Sequence, residues 1–303
     1  MSNYEGEYRS GIIAIVGNTN VGKSTLLNSI VGEKVTIVSN RVQTTRNVIR
    51  AILTKKNGQL VFLDTPGIHQ AQGDLGKNMN KSARSASKGV DAVLLVVDGS
   101  VSPSEIDLGW FKRLAKTNIP FFIGINKSDI IKNYNKAYHQ MWLDVAKEKE
   151  SNVKPFWNYF CAKDGKGVDL LIDSLFKMLP MGPPLFPEDI LTDYPRKLNM
   201  GDIIREKLFN LLHQEIPHSL AVWVDSISES EANWKIEAFV LVERHSQKGI
   251  VIGEKGRLIR KVQRESELEL SNIYEKKINL KLKVKVEKNW RNNFWILKKL
   301  GYA

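Results

Sequence analysis

The chain predicts an α/β unit, a mostly parallel sheet with helices on both faces, followed by a smaller α+β unit. Three observations carry this. Across residues 1–180, short continuous apolar runs alternate with segments of helical apolar spacing, the βαβα order that builds a covered parallel sheet. Residues 179–187 then hold four prolines, and no helix continues through such a stretch. Beyond them the pattern changes to a helix, two antiparallel strands, and a final strand in which apolar residues alternate with lysines.

Taken in order, Gly11–Val16 is an apolar run with the character of a strand buried on both faces, and Lys23–Val31 reads as a helix. Leu60–Leu63, Ala92–Val97 and Phe121–Ile125 are further buried strands, and Asp107–Lys116 and Asp169–Leu179 have helical spacing. The first domain is therefore placed at residues 1–180, a linker at 181–201 and a second domain at 202–303. In the latter, Asp202–Glu215 is an amphipathic helix with Ile203, Ile204, Leu208, Leu211 and Leu212 on one face. Leu220–Ile227 and Trp234–Glu243 are two antiparallel strands, Gly253–Gly256 is a turn, and a helix follows from about Arg257 with Leu258, Ile259 and Val262 inward. Leu280, Leu282, Val284 and Val286 face one way from the last strand, Lys281, Lys283, Lys285 and Glu287 the other.

Composition bounds the function. The formal net charge of +12 points to a polyanionic partner. It is unevenly spread: residues 181–243 are net −6, 244–264 are +6, 265–275 are −4 and 276–303 are +8. No apolar run is long enough for a membrane span, the longest being Ala92–Val97. The polar stretch Met1–Ser10 does not read as a secretory signal. A lone Cys161 excludes an internal disulfide and fits a reducing cytoplasm, and no heptad or large apolar surface predicts more than a monomer.

Four short strings then fall just after predicted strands, where ligands of parallel sheets bind. Gly17-Asn18-Thr19-Asn20-Val21-Gly22-Lys23-Ser24 fits the phosphate loop G-x-x-x-x-G-K-[ST], with phosphate binding expected on through Thr25. Its glycines let backbone N–H groups at a helix N-terminus close on phosphates. Lys23 offers a charge to the β- and γ-phosphates, and the Ser24 hydroxyl is a Mg²⁺ ligand. Asp64-Thr65-Pro66-Gly67, with Ile68 behind it, senses the γ-phosphate. Asp64 holds Mg²⁺ through water, and the Gly67 N–H donates to the phosphate, a hydrogen bond that hydrolysis breaks. Asn126-Lys127-Ser128-Asp129 selects GTP over ATP, because the Asp129 carboxylate accepts two N–H donors that guanine has and adenine lacks. Lys127 lies along the base and Asn126 ties the loop. Cys161-Ala162-Lys163 adds the Ala162 N–H. Ile68 stands where many such switches carry a water-orienting glutamine, so slow turnover alone is expected.

With Asn20-Val21-Gly22-Lys23-Ser24-Thr25-Leu26-Leu27-Asn28, Gln43-Thr44-Thr45-Arg46, Asp64–His69 and Asn126–Asp129, the chain resembles the bacterial Era family. The strings Gly182-Pro183 through Asp189, Glu215-Ile216-Pro217-His218-Ser219 and Val284-Lys285-Val286 with Trp290-Arg291 extend the resemblance over nearly the whole chain. It implies a P-loop GTPase domain followed by an α+β type II KH domain that binds the 3′ end of 16S ribosomal RNA and assists maturation of the small (30S) subunit. It also implies that Thr45, or its neighbour Thr44, is the switch threonine meeting Mg²⁺. Asn20 matches an asparagine that helps hold K⁺ against the phosphates, a cation that takes over the missing glutamine's electrostatic role. Thr19 stands where the family has proline. Lys23, Asn20, Thr45 and Gly67 are the expected catalytic set.

Independently, Gly253-Glu254-Lys255-Gly256 fits the GXXG loop that clamps a single-stranded RNA backbone. Gly73–Gly76 matches too, and context favours the later copy: a strand precedes it, and Arg257, Arg260, Lys261 and Arg264 follow on a helix. Lys255 neutralises phosphate. Ile250 and Ile252 either floor a base groove or pack in the core. The lysine-faced strand is either a surface for the RNA backbone or a solvated edge, and Trp290, Arg291 and Trp295 either stack bases or pack a helix. His69 and His218 lack the spacing of a metal site. Two rivals stand beside the ribosomal reading: a GTP-gated regulator of non-ribosomal RNA, and a signalling GTPase at the inner face of the membrane.

Overall fold

The computed structural model of the chain describes residues 8–36, 49–64, 89–212 and 216–302. They form two compact units, one up to Asp193 and one from Tyr194.

The first unit is built on a six-stranded sheet in the order β2-β3-β1-β4-β5-β6. Its strands are β1 (Arg9–Val16), β2 (Ile49–Lys55), β3 (Gly58–Asp64), β4 (Ala92–Asp98), β5 (Phe121–Asn126) and β6 (Phe156–Tyr159). All neighbouring pairs are parallel except β2–β3. Every residue of β3, β4 and β5 is buried, which is why they read as unbroken apolar runs. Along β1 the side chains alternate between two cores. Ile13 and Ile15 join that of α1 (Lys23–Val31) and α4 (Val168–Met178). Ala14 and Val16 join that of α2 (Glu105–Leu114) and α3 (Asn135–Glu148). Helix α2 starts two residues earlier than its apolar spacing predicts, because Ser104 and Asp107 cap it reciprocally.

Strands β2 and β6 and helix α3 have only weak sequence signals. β2 is the antiparallel edge and β6 a four-residue edge with exposed ends; α3 buries only Tyr138, Trp142 and Val145. Of residues 181–201, read as linker, those up to Asp193 lie along the first unit. The Gln59 amide bonds the Leu185 and Phe186 N–H groups and the Phe186 carbonyl, and Thr192 bridges Ala51.

The second unit runs α5 (Arg196–Leu211), α6 (Ile216–Ser219), β7 (Ala221–Glu229), β8 (Asn233–Val242), α7 (His245–Ile252), a 3₁₀ turn (Glu254–Gly256), α8 (Arg257–Tyr274), β9 (Lys277–Val286) and α9 (Phe294–Lys299). The helix expected over Asp202–Glu215 thus begins earlier, directly after Pro195, whose fixed φ suits a helix entry. The sheet order is β7-β8-β9, antiparallel then parallel. Helices α5 and α8 cover one face, with Ile204, Leu208, Val262, Leu270, Val240 and Leu280 at its core. The other face carries a smaller cluster of Ala221, Leu241, Trp290, Leu297, Leu300 and Tyr302. Among the described residues no helix is long and apolar enough to cross a membrane.

Candidate functional site

The loop from Gly17 to Gly22 leaves the carboxyl end of β1 and enters α1 at Lys23, so Lys23, Ser24 and Thr25 form the helix's first turn. Gly22 sits at φ 98°, and a Cβ there would meet the Asn126 Nδ2 at 2.2 Å. Only glycine fits. Lys23 Nζ donates to the carbonyls of Gly17 (3.0 Å) and Asn18 (2.6 Å), which holds the ammonium inside the loop. Burial lowers its pKa, and the nearby Asp64 charge opposes that. Asp64, fully buried at the end of β3, lies with Oδ2 3.4 Å from the Ser24 hydroxyl. Two hard oxygen donors beside a lysine match a small divalent cation with phosphate. Asn20 is exposed, at φ 62°, and Thr19 donates its N–H to Asn18 Oδ1 at 2.7 Å. Thr44, Thr45, Thr65, Pro66, Gly67, Ile68 and Gly73–Gly76 lie outside the described residues.

Asn126, at the end of β5, joins three segments. Its Nδ2 donates to Val21 O (2.8 Å), and its Oδ1 accepts from the N–H groups of Lys127 (2.8 Å) and Ala162 (2.9 Å). The Ala162 N–H assigned to the base from sequence is therefore engaged with Asn126 here, and Ala162 acts as an anchor of the loop. Ser128 N–H bonds Phe160 O at 3.2 Å, Asp129 is exposed beside it, and Lys163 is exposed on the neighbouring loop. Cys161 is buried; burial and then its hydrogen bond to Asp129 push the thiol pKa up, so it stays an S–H donor to that carboxylate.

Two residues were missed in the sequence. Asp98 ends β4, directly opposite Asn126 in the parallel register, and its Oδ2 meets Lys127 Nζ at 2.5 Å. Burial opposes ionisation of Asp98, but hydrogen bonds from Lys127 and Ser100 outweigh it and hold the carboxyl below its ordinary value. A carboxylate closing a buried strand was the available signal. Asn28 bonds the Val35 and Thr36 N–H groups and the Thr36 carbonyl, pinning the chain after α1.

In the second unit, Gly253–Gly256 joins α7 to α8. A helix, not strand β8 itself, precedes the loop; α7 buries only Val251, too little periodicity to read. Gly253 has φ 72° and Gly256 φ 74°, and Lys255 between them is left-handed at φ 49°. Arg260 donates to Lys255 O at 2.6 Å and braces the loop. Glu254, Lys255, Arg257, Arg260 and Lys261 are all exposed. Ile250 is 50 % exposed while Val251 fills the core, and Ile252 is partly buried. Trp290 is fully buried and donates Nε1–H to Ser219 O, so it packs the domain; Trp295 is 70 % exposed. The lysines of β9 are placed on the sheet face opposite α8, away from the helix that follows the GXXG loop.

A family model described as "50S ribosome-binding GTPase" matches residues 12–127, and a "KH domain" model matches 215–291. The chain is 39 % identical over 301 residues to GTPase Era of Carboxydothermus hydrogenoformans, covering 98 % of each. To GTPase Era of Geobacter sp. (strain M21) it is 42 % identical over 301 residues, 98 % of this chain and 99 % of that one. Among solved structures, an Era variant of Aquifex aeolicus bound to GDP·AlF4⁻ superposes with a TM-score of 0.88 at 33 % identity, covering 97 % of this chain and 99 % of its own. Era in complex with MgGDPNP and nucleotides 1506–1542 of 16S ribosomal RNA gives 0.88 at 33 %, covering 98 % and 99 %.

Proposed function

The chain belongs to the Era family of GTPases, and on that premise we propose that it binds and hydrolyses GTP with Mg²⁺ in its first unit and binds the 3′ end of 16S ribosomal RNA with its second, assisting maturation of the 30S subunit. The observation that carries the nucleotide reading is the single side chain of Asn126 tying the phosphate loop, the Asn126–Asp129 loop and the Cys161–Lys163 loop together. Three strings far apart in sequence are thereby held at one place.

Lys23 Nζ exchanges its two loop carbonyls for oxygens of the β- and γ-phosphates as they enter, while N–H groups at the start of α1 donate to the remaining oxygens. Ser24 and Asp64 would hold Mg²⁺, with Thr45 or its neighbour Thr44 as a further ligand; when bound, the ion offsets charge on the β- and γ-phosphates. Asp129, oriented by Cys161, accepts the guanine N–H donors, and Lys127, held by Asp98, flanks the base. Asn20 is the proposed partner of K⁺, supplying charge that Ile68 cannot. Hydrolysis in K⁺ buffer is expected several-fold faster than in Na⁺ buffer, and equal rates would remove Asn20 from this role.

In the second unit, Gly253–Gly256 clamps the RNA backbone, Lys255, Arg257, Arg260 and Lys261 face its phosphates, and the half-exposed Ile250 with Ile252 floors the base groove. The deciding experiment is ultraviolet crosslinking in living cells with sequencing of the attached RNA. A single peak at the 3′ end of 16S RNA is expected. Peaks scattered over other transcripts would replace the assembly role with the regulatory one.

A further inference from the structure

We propose that the outer face of the second unit's sheet carries a second RNA site, a pocket that takes one unstacked nucleobase; the proposal rests on the RNA-binding reading above. Three observations on that face converge. First, the register of β7, β8 and β9 lines Trp223, Phe239 and Lys283 up in one row, with the Trp223 and Phe239 rings 5.7 Å apart. Second, a cavity of about 330 Å³ opens between this face and α9, at the small end of ligand pockets. Trp223, Leu241 and Ile296 line it, with Trp295, Lys285 and Lys299 beside them. Third, the Trp295 indole is 70 % exposed next to it and packs on Phe294, itself 57 % exposed, so the rim presents a contiguous aromatic patch of the kind that marks an interaction site.

The chemistry of the lining selects the occupant. Indole walls offer flat π faces, on which any base stacks. Cations surround them: Lys299 Nζ lies 4.3 Å from the Trp223 ring, Lys298 5.9 Å from Trp295 and Lys283 5.6 Å from Phe239. Lys285 pairs with Glu287, and Lys281 and Lys283 with Glu237, at side-chain exposures where such pairs exchange readily for phosphate. A purely apolar peptide would match the floor but not this rim. The GXXG loop joins helices that belong to the other side of the sheet, so one RNA strand can engage both only by passing around the sheet's edge.

The test uses the full chain and the RNA of nucleotides 1506–1542, photo-crosslinked and mapped by mass spectrometry. Crosslinks are expected on peptides carrying Trp223 and Trp295 as well as on α7 and α8. Trp295→Ala should weaken this RNA about fivefold or more. Lys285→Ala and Lys299→Ala should each flatten the dependence of log affinity on log salt by about 0.7. Leu143→Ala, comparably exposed at 60 % but on α3 of the first unit, should change neither. Binding by the wild type with crosslinks confined to α7 and α8, or equal losses from Trp295→Ala and Leu143→Ala, overturns the pocket while leaving the RNA reading intact. No binding by the wild type overturns both.

Discussion

In the proposed nucleotide site Asp98 and Asp129 have separate roles, and each supports its own prediction. In that proposal Asp129 meets the base with acceptors alone, so Asp129→Asn exchanges one acceptor for a donor. GTP affinity should fall about a hundredfold, two charge-assisted hydrogen bonds at ~1.5 kcal/mol each, while xanthosine triphosphate, which carries an oxygen in place of the exocyclic amine, should gain. Equilibrium binding of the two nucleotides checks this. Asp98 acts through Lys127. Its folded pKa is depressed, so the ion pair stabilises fully above the unfolded value of about 3.9 and is lost as pH falls through the lower folded value. Asp98→Asn should weaken GTP about fivefold near neutrality and make the acid unfolding curve shallower below about pH 4. The nucleotide strings were legible because backbone-wrapping glycines and fixed spacings recur wherever phosphate is bound. Asp98 was not, because its partner is set by a parallel register, which one strand cannot disclose.

At the scale of the element, the GXXG loop shows why a glycine-to-aspartate substitution is a poor probe. A Cβ at Gly253 would lie 2.7 Å from that of Leu258, so Gly253→Asp would distort the start of α8 as well as repel RNA. Lys255 tolerates change better. It is left-handed at φ 49°, a conformation asparagine also accepts, so Lys255→Asn removes charge and keeps the loop. RNA affinity should drop several-fold and its salt slope by about 0.7, with GTP hydrolysis and melting temperature unchanged. Titration at three salt concentrations checks it. Elements with strong periodicity, β1, β4, β5 and β9, were legible. Helix α7 was not, since Gly249 and a single buried valine leave no apolar stripe, and β2 was hidden by a role as the antiparallel edge of a parallel sheet. The alternation of β9 was read correctly, but which side its lysines take follows only from where α8 packs.

Across the whole molecule the second unit is closed by a buried charge network that no local pattern announces. Arg205, 1 % exposed, pairs with Asp202 at 2.8 Å and bonds the Tyr302 hydroxyl, while the Tyr194 hydroxyl donates to Asp202 at 2.9 Å. Burial opposes the guanidinium charge, yet Asp202 and the tyrosines more than restore it. Asp202→Asn should destabilise this unit by about 3 kcal/mol or more, since it leaves a buried cation uncompensated; Tyr302→Phe should cost only about 1–2 kcal/mol. Denaturant unfolding followed by tryptophan fluorescence measures both. The same network has a consequence for synthesis. The described residues of the first unit are all made once Asp193 has been translated, so that unit can fold first as the chain emerges. Arg205 is made 97 residues before Tyr302, and β9, the parallel partner of β8, also arrives late. The second unit therefore cannot finish folding until Tyr302 has been made, long after the residues of the first unit are complete.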